Sequence, residues 1–458
     1  MNSKFQKTSE TLGNEDRGET SMSSHKGNGL TTNHRTEHPN FSTNLLEEVI
    51  SQSNLKLALK RVRQNKGSAG VDGMRVNELS DYLKENWHQI RDKLLEGSYK
   101  PMPVKRVDIP KPDGGVRQLG IPTVLDRFIQ QALAQILQNG YDKTFSDSSY
   151  GFRPTRSAHQ AVLKAQSYQN DGHRIVVDID LEKFFDKVNH DKLMGSLRGD
   201  IKDIRVLKLV RCYLNAGVME NGIVTTPDEG TPQGGPLSPL LSNIVLDDLD
   251  RELEKRGHKF VRYADDCNIY VNTPRAGERV MKSIKEFIEK KLKLKVNENK
   301  SKVTKPSETK FLGFSFSNEI VVRSRISSKS ITRFKDKVRE ITKPTRRIKF
   351  VDLINELKIY FVGWKGYFNH AEIKFELNRL DRWVRHRLRN FIWLQWRKCQ
   401  TRFKMLVKFR VNPDLALRSA ASGKGSWRMS HSPAMSIAFP VKYFDKAKLP
   451  RLFDEVLS

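Results

Sequence analysis

At 458 residues, with 37% hydrophobic content and a mean hydropathy of -0.60, the chain is long enough for two or three domains with cores of their own, and no apolar run reaches the length of a membrane span. Three scattered cysteines (Cys212, Cys267 and Cys399) without a CxxC pair argue against a disulfide framework or structural zinc module and fit a reducing, cytoplasmic compartment. A net charge of +29 calls for a polyanionic partner, nucleic acid ahead of a membrane surface, since no basic amphipathic helix stands alone.

Residues 1–42 sum to zero charge, carry Glu10, Glu15, Asp16 and Glu19 and lack an apolar h-region, so they read as a disordered tail rather than a leader. Order starts near Asn44 with helical spacing and stops at the glycine cluster Gly67–Gly73. Residues 80–97 read as helix, and two short strands follow around the turn Pro112-Asp113-Gly114-Gly115. A helix over 124–139 precedes the β-branched strand 174–180, which runs into acids. The pattern then predicts a helix over 237–256, a hairpin over 259–271 and a helix over 277–292. From about 327 only helices are expected, over 328–342, 350–369 and 374–399. Residues 321–458 hold 32 Lys and Arg against 11 Asp and Glu, so an enzyme-like middle is followed by a basic end.

The chemistry-bearing segment is Tyr263-Ala264-Asp265-Asp266, set between two β-rich runs, which predicts adjacent carboxylates at a hairpin tip. Two like charges held that close are usually relieved by a divalent cation. A partner acid comes from the strand 175–180, where alternation puts Asp178 and Asp180 on one face and leaves either as the ligand. Asp247-Asp248, by contrast, reads as a solvated helix face. The Gly230-Thr231-Pro232-Gln233-Gly234-Gly235 block predicts a rigid, side-chain-poor loop opening a helix with Ser238 as cap, either a plain β–α connector or a loop that lets the backbone approach a nascent base pair with Gln233 as the polar contact.

Taken in order, these segments resemble the group II intron reverse transcriptase and maturase family from about residue 45 onward. Gly151-Phe152-Arg153-Pro154, Asp180-Leu181-Glu182-Lys183-Phe184-Phe185-Asp186, the glycine-proline block, the Ala-Asp-Asp hairpin and Phe311-Leu312-Gly313-Phe314 all follow the family's sequence. The resemblance implies an α+β right-hand polymerase: fingers and palm over 43–325, an all-α thumb or maturase X domain over 326–420, and a short basic DNA-binding-like extension over 421–458. It implies an RNA-directed DNA polymerase with Asp180, Asp265 and Asp266 as catalytic acids. These, with the Leu181 carbonyl, would hold two Mg²⁺, with Mn²⁺ as a possible substitute. Phe185 becomes the gate selecting dNTPs, and Lys111, Arg117, Gln233 and Lys300 become nucleotide contacts.

In the basic end, Arg382, Arg385, Arg387 and Arg389, then Arg402, Lys404, Lys408 and Arg410, are expected to grip RNA or DNA phosphates, with the tryptophans mostly core. The implied partners are a group II intron RNA, an RNA template with its DNA primer and target DNA. No Cys/His-rich endonuclease segment is found. Competing readings are a splicing maturase with vestigial polymerisation and a domesticated relative in repair or phage defence.

Overall fold

The computed structural model describes residues 39, 41–110, 114–220, 223–225, 229–230, 234–346 and 348–453. Lys111, Gln233 and most of the N-terminal tail therefore lie outside the described residues, as does the side chain of Arg117.

The predicted first helix is two. Helix α1 (Leu45–Val49) ends where Ser51 turns extended, and α2 (Gln52–Asn65) follows. The break has its own bonds: Asn54 Nδ2 donates to the carbonyls of Val49 (2.7 Å) and Ala132 (2.9 Å), taking up a helix-end acceptor that would otherwise be orphaned. Helix α3 (Leu79–Leu95) leads to the antiparallel pair β1 (Val104–Pro110) and β2 (Val116–Ile121), then α4 (Val124–Tyr141), capped by Thr123, and α5 (Ala158–Asn170), which starts with a capping box from Ser157 and Gln160.

Strand β3 (Ile175–Ile179) is followed by α6 (Phe184–Lys187), α7 (His190–Asp200), α8 (Ile204–Leu214), β4 (Val218–Glu220) and β5 (Ile223–Thr225). Helix α9 (Ser238–Lys255) precedes the hairpin β6 (Lys259–Tyr263) and β7 (Asp266–Val271), then α10 (Pro274–Phe287), β8 (Lys302–Thr304), β9 (Phe314–Phe316) and β10 (Ser324–Ile326). Two four-stranded sheets result, ordered β2-β1-β4-β5 and β6-β7-β3-β8.

The second sheet is buried on both faces. Ile175, Val177, Ile179 and Ile269 join a core with α4, α9 and α10, while Val176, Val261 and Tyr270 join the opposite core. That opposite core also contains Phe334, Leu357 and Leu388 from α11 (Ser328–Ile341), α12 (Phe350–Phe368) and α13 (Phe375–Gln395), so the basic helices pack on the sheet through shared apolar side chains.

Helix α13 stops at Gln395, four residues before the expected 399, and α14 (Cys399–Lys408) starts anew. Trp396 is the hinge: it leaves helical geometry, is buried against Phe439, and its carbonyl accepts from Arg402 Nε at 2.8 Å. Four short helices close the chain: α15 (Pro413–Ala420), α16 (Ser426–Ser430), α17 (Pro433–Ala438) and α18 (Val441–Lys446). No described helix is long and apolar enough to cross a membrane.

Candidate active site

Register brings the predicted acids together. Strand β3 pairs with β7 so that Ile179 faces Cys267, and β6 pairs with β7 up to Tyr263 opposite Asp266. Ala264 and Asp265 form the two-residue turn, and Asp180 follows the last residue of β3 beside it. The chain after β3 is zipped to residues 295–297: the Asn297 amide donates to the Asp180 carbonyl (2.8 Å), Leu181 bridges Val296, and the Glu182 amide donates to the Lys295 carbonyl (2.8 Å). Ser301 Oγ accepts from the Asp180 amide at 3.0 Å. Backbone bonds thus fix Asp180 and Leu181, and the Asp180 side chain lines the cleft.

Asp180 lies where two cavities meet. One, of about 1270 Å³, is also lined by Asp265, Leu181, Phe185, Lys300 and by Val116 and Gln118 of β2. The other, of about 1050 Å³, is lined by Asp178, Asp266, Thr309 and the aromatic residues Tyr360 and Trp364 of α12. Arg117 sits between Val116 and Gln118 on β2, opposite Ile109. Phe185 is half-buried, its ring set edge-on to the buried Phe184 at 5.2 Å, and it forms part of the first cavity's wall. Lys300 Nζ stands 3.6 Å from Asp180 Oδ2.

The electrostatics are those of crowded acids. Asp266 reaches solvent at the mouth yet sits in a concave wall, and burial, then Asp265, Asp178 and Asp180, push its carboxyl up to about 6. Burial also raises Asp178, against a hydrogen bond donated by Thr309 Oγ1 at 3.0 Å. Among the described residues no three acidic, histidine or cysteine side chains converge closely enough to hold a metal ion as they stand. The donor set nonetheless fits a hard divalent cation, because carboxylate oxygens that repel one another around one mouth are what such an ion neutralises.

The turn that carries Asp265 is clamped from behind. Ala264 is held at a φ of +58°, a left-handed conformation that costs an L-residue roughly 1–2 kcal/mol. Arg262, fully buried, donates from Nη1 to the Ala264 carbonyl and to Asn243 Oδ1, both at 3.0 Å, and from Nη2 to Ser149 Oγ at 2.8 Å. Its Nε and Nη2 grip both oxygens of the equally buried Asp250 on α9, at 2.7 and 2.5 Å. Burial opposes Arg262's charge, but Asp250 outweighs it and holds the guanidinium charged. Gly151 completes the clamp: its carbonyl accepts from Asn243 Nδ2, and a Cβ there would lie 2.3 Å from the Ala264 nitrogen. The Gly-Phe-Arg-Pro segment supports the turn through that close approach.

Arg262, Asp250, Asn243 and Ser149 were missed from sequence. Two signals were present: an arginine inside an apolar strand, and an aspartate among Leu246, Leu249 and Leu253 on the buried side of α9.

Other expectations shift. Asp247 and Asp248 do not share a solvated face: Asp248 is exposed, with Lys192 Nζ 3.3 Å away, whereas Asp247 is largely buried, bonded by Arg251 Nε at 2.5 Å, and burial pushes it up to about 6. Ser238, which is buried, is the first helical residue of α9 rather than its cap, a position held by Leu237. The glycine after Gln233 serves intrachain packing: Gly234, at a φ of +137°, lies so close to the Gly120 carbonyl that a Cβ would sit 2.5 Å away.

The predicted phosphate-gripping cations divide. Arg382, Lys404, Lys408 and Arg410 are exposed, and Arg385 is half-buried beside Asp381. Arg387 donates to Thr342 Oγ1 from Nη2 at 3.0 Å. Arg389 is buried, with Nε and Nη2 on the Phe439 carbonyl at 3.0 and 2.8 Å. Arg402 stacks over the Trp393 ring at 4.7 Å. Trp393 and Trp396 are core, while Trp364 and Trp383 are half-buried.

Residues 109–316 match the family described as Reverse transcriptase (RNA-dependent DNA polymerase), and residues 331–409 match the Group II intron, maturase-specific domain. Protein YkfC of Escherichia coli (strain K12) is 33% identical over 294 residues, which is 56% of this chain and 76% of that protein. The group II intron-encoded protein LtrA of Lactococcus lactis subsp. cremoris is 31% identical over 324 residues, covering 56% of this chain and 54% of LtrA. A putative COX1/OXI3 intron 1 protein of Saccharomyces cerevisiae is 27% identical over 388 residues, covering 72% of this chain and 46% of that protein. The chain thus spans about half the length of the latter two. A match to the reverse transcriptase family on a mixed α/β fold, followed by a match to the maturase-specific domain on helices, makes the chain a member of the group II intron reverse transcriptase and maturase family.

Proposed function

We propose that this chain copies RNA into DNA at the mouth between Asp180 and the 264–265 turn, and that it binds a group II intron RNA to assist splicing and mobility. The observation that carries the polymerase reading is Asp180 at the junction of two cavities, one with Phe185 and Lys300, the other with aromatic residues of α12. The first suits an incoming dNTP and the second the primer end. Two Mg²⁺ ions held by Asp180, Asp265, Asp266 and the Leu181 carbonyl would activate the primer hydroxyl and neutralise pyrophosphate, with Mn²⁺ as a substitute.

In that reaction the primer 3′-oxygen forms a bond to the α-phosphorus as the α–β bridge breaks and pyrophosphate leaves. The chain's own part is placement. Lys300 sets a cation beside Asp180, and Lys111 and Arg117 would be further contacts of the triphosphate. Phe185 fills the space a ribose 2′-hydroxyl would need, which favours dNTPs. Gln233 would meet the nascent base pair. Fingers and palm would occupy 43–325, the thumb 326–420 and a DNA-binding-like extension 421–458. The exposed cations Arg382, Lys404, Lys408 and Arg410 suit phosphate contacts that set affinity and not sequence.

The test is extension of a DNA primer on an RNA template with Mg²⁺ and dNTPs. Wild-type extension that disappears in Asp265→Ala supports the assignment, and equal activity in that variant sinks it.

A further inference from the structure

We infer that a second RNA-binding surface lies in the groove between α7 and α8, away from the catalytic mouth, and that it holds the phosphodiester backbone of folded RNA. The inference rests on the RNA-binding reading above and extends it to a site with no residue in common with either catalytic cavity. The groove has a volume of about 1150 Å³. Lys100, Arg198, Lys202 and Lys208 line it, and all four are exposed.

Its cations are not offset by neighbouring acids. Several arginines of this chain pair with carboxylates, as Arg205 does with Glu47, Arg256 with Glu252 and Arg323 with Glu319. Among the described residues none of the four groove cations has such a partner. The groove's one acid, Asp191, is already bonded to Arg211 at 2.7 Å. The Lys208 side chain lies along Gly97, with Cδ 3.6 Å from where a Cβ would stand, so its ammonium is held at the rim.

The floor is apolar, formed by Met194, Ile201 and Ala216, and Ile204 projects from the edge at 77% exposure. Unpaired cations above a hydrocarbon floor keep a strong local field because little water screens them from below. The lining holds no aromatic side chain, so bases have no stacking platform, and the surface suits a folded RNA gripped by its backbone rather than a splayed single strand.

The test fills the catalytic mouth of the full-length protein with a short RNA–DNA template-primer. It then titrates a labelled, highly structured RNA that carries no primer, at several salt concentrations. In the variant Arg198→Ala/Lys202→Ala/Lys208→Ala, affinity for that RNA should fall roughly tenfold or more. The log–log salt slope should drop by roughly 2.7, at ~0.9 per lost phosphate contact on a duplex backbone. Primer extension on the short duplex should stay at the wild-type level, which also shows that the variant folds. Unchanged affinity and slope with extension intact would overturn the inference. So would displacement by polyglutamate of a protein probe where the structured RNA fails to bind, which would make the groove a docking site for acidic protein. Lack of extension by the wild type would count against the polymerase reading alone, because the binding arm is read separately.

Discussion

Arg262 Nη1 lies 3.0 Å from the carbonyl of Ala264, the residue that immediately precedes Asp265, while the rest of the same guanidinium is locked onto Asp250. One buried cation therefore ties the turn that carries Asp265 to α9. Lysine keeps the charge but cannot reach Asp250, Asn243, Ser149 and Ala264 together. Arg262→Lys should lower kcat roughly 10- to 100-fold, on the order of 1.4–2.8 kcal/mol in the transition state, with the KM for dNTP much less affected. Arg262→Met leaves Asp250 buried without its partner and should cost about 3–5 kcal/mol of stability. A kcat for Arg262→Lys equal to wild type would show that the clamp does not position the turn.

The two acids of β3 and its end should behave differently. Asp180 faces both cavities and has a backbone fixed by Asn297 and Ser301, whereas Asp178, on the wall of the second cavity alone, is turned to Thr309 in a part-buried hydrogen bond. Asp180→Ala should abolish divalent ion binding, measured by calorimetry with Mn²⁺, together with primer extension. Asp178→Ala should largely keep both. Metal binding lost in Asp178→Ala and kept in Asp180→Ala would reverse the assignment.

That pair also marks how far the sequence could be read. The β-rich apolar runs on both sides of Ala264-Asp265 made the hairpin legible, since β propensity around a short turn is a local property. The tie between Asp178 and Asp180 was beyond local pattern, because both continue one face of the strand and the discriminating Thr309 is 131 residues away. Arg389 and Arg402 likewise read as free cations on a basic helix. Their partners, the Phe439 carbonyl and the Trp393 ring, come from tertiary packing that no helical periodicity encodes. The early end of α13 has no glycine or proline to announce it and is set by the burial of Trp396.

Phe185 offers a test of substrate choice. Its ring is steadied by Phe184, and it lines the cavity that Asp180 and Asp265 share. Phe185→Ala should let NTPs be incorporated, narrowing the dNTP-over-NTP ratio in kcat/KM by roughly 10-fold or more, about 1.4 kcal/mol of lost discrimination. A ratio unchanged in this variant would remove Phe185 from the role of gate.

The cations of α13 separate into binding and structural positions. Arg389 holds the Phe439 carbonyl from a buried site, so Arg389→Ala leaves that acceptor unpaired and should lower stability by about 1–3 kcal/mol, seen in denaturant unfolding. Arg382 is exposed, and Arg382→Ala should leave unfolding unchanged while reducing the salt slope of RNA binding by about 1. The opposite pattern would exchange the two roles.

The C-terminal extension should loosen in acid. His386 on α13 stacks on His431 at 3.6 Å, next to Trp427 of α16. Burial, then His431 and Arg389, with a smaller push from Arg385, hold its pKa down at about 4, against a hydrogen bond with the Ser430 backbone that acts the other way. The folded protein therefore prefers neutral His386, whereas the unfolded chain takes up a proton near the ordinary value of 6.5. Stability from this contact is present above about pH 6.5 and is lost as pH falls from there toward 4, by roughly 1–2 kcal/mol once solvent screening is counted. Limited proteolysis of the loop 421–425 should accelerate across that interval in the wild type. In His386→Gln, which cannot gain the charge, the rate should stay nearly flat. Equal acceleration in both proteins would mean that another group controls the joint.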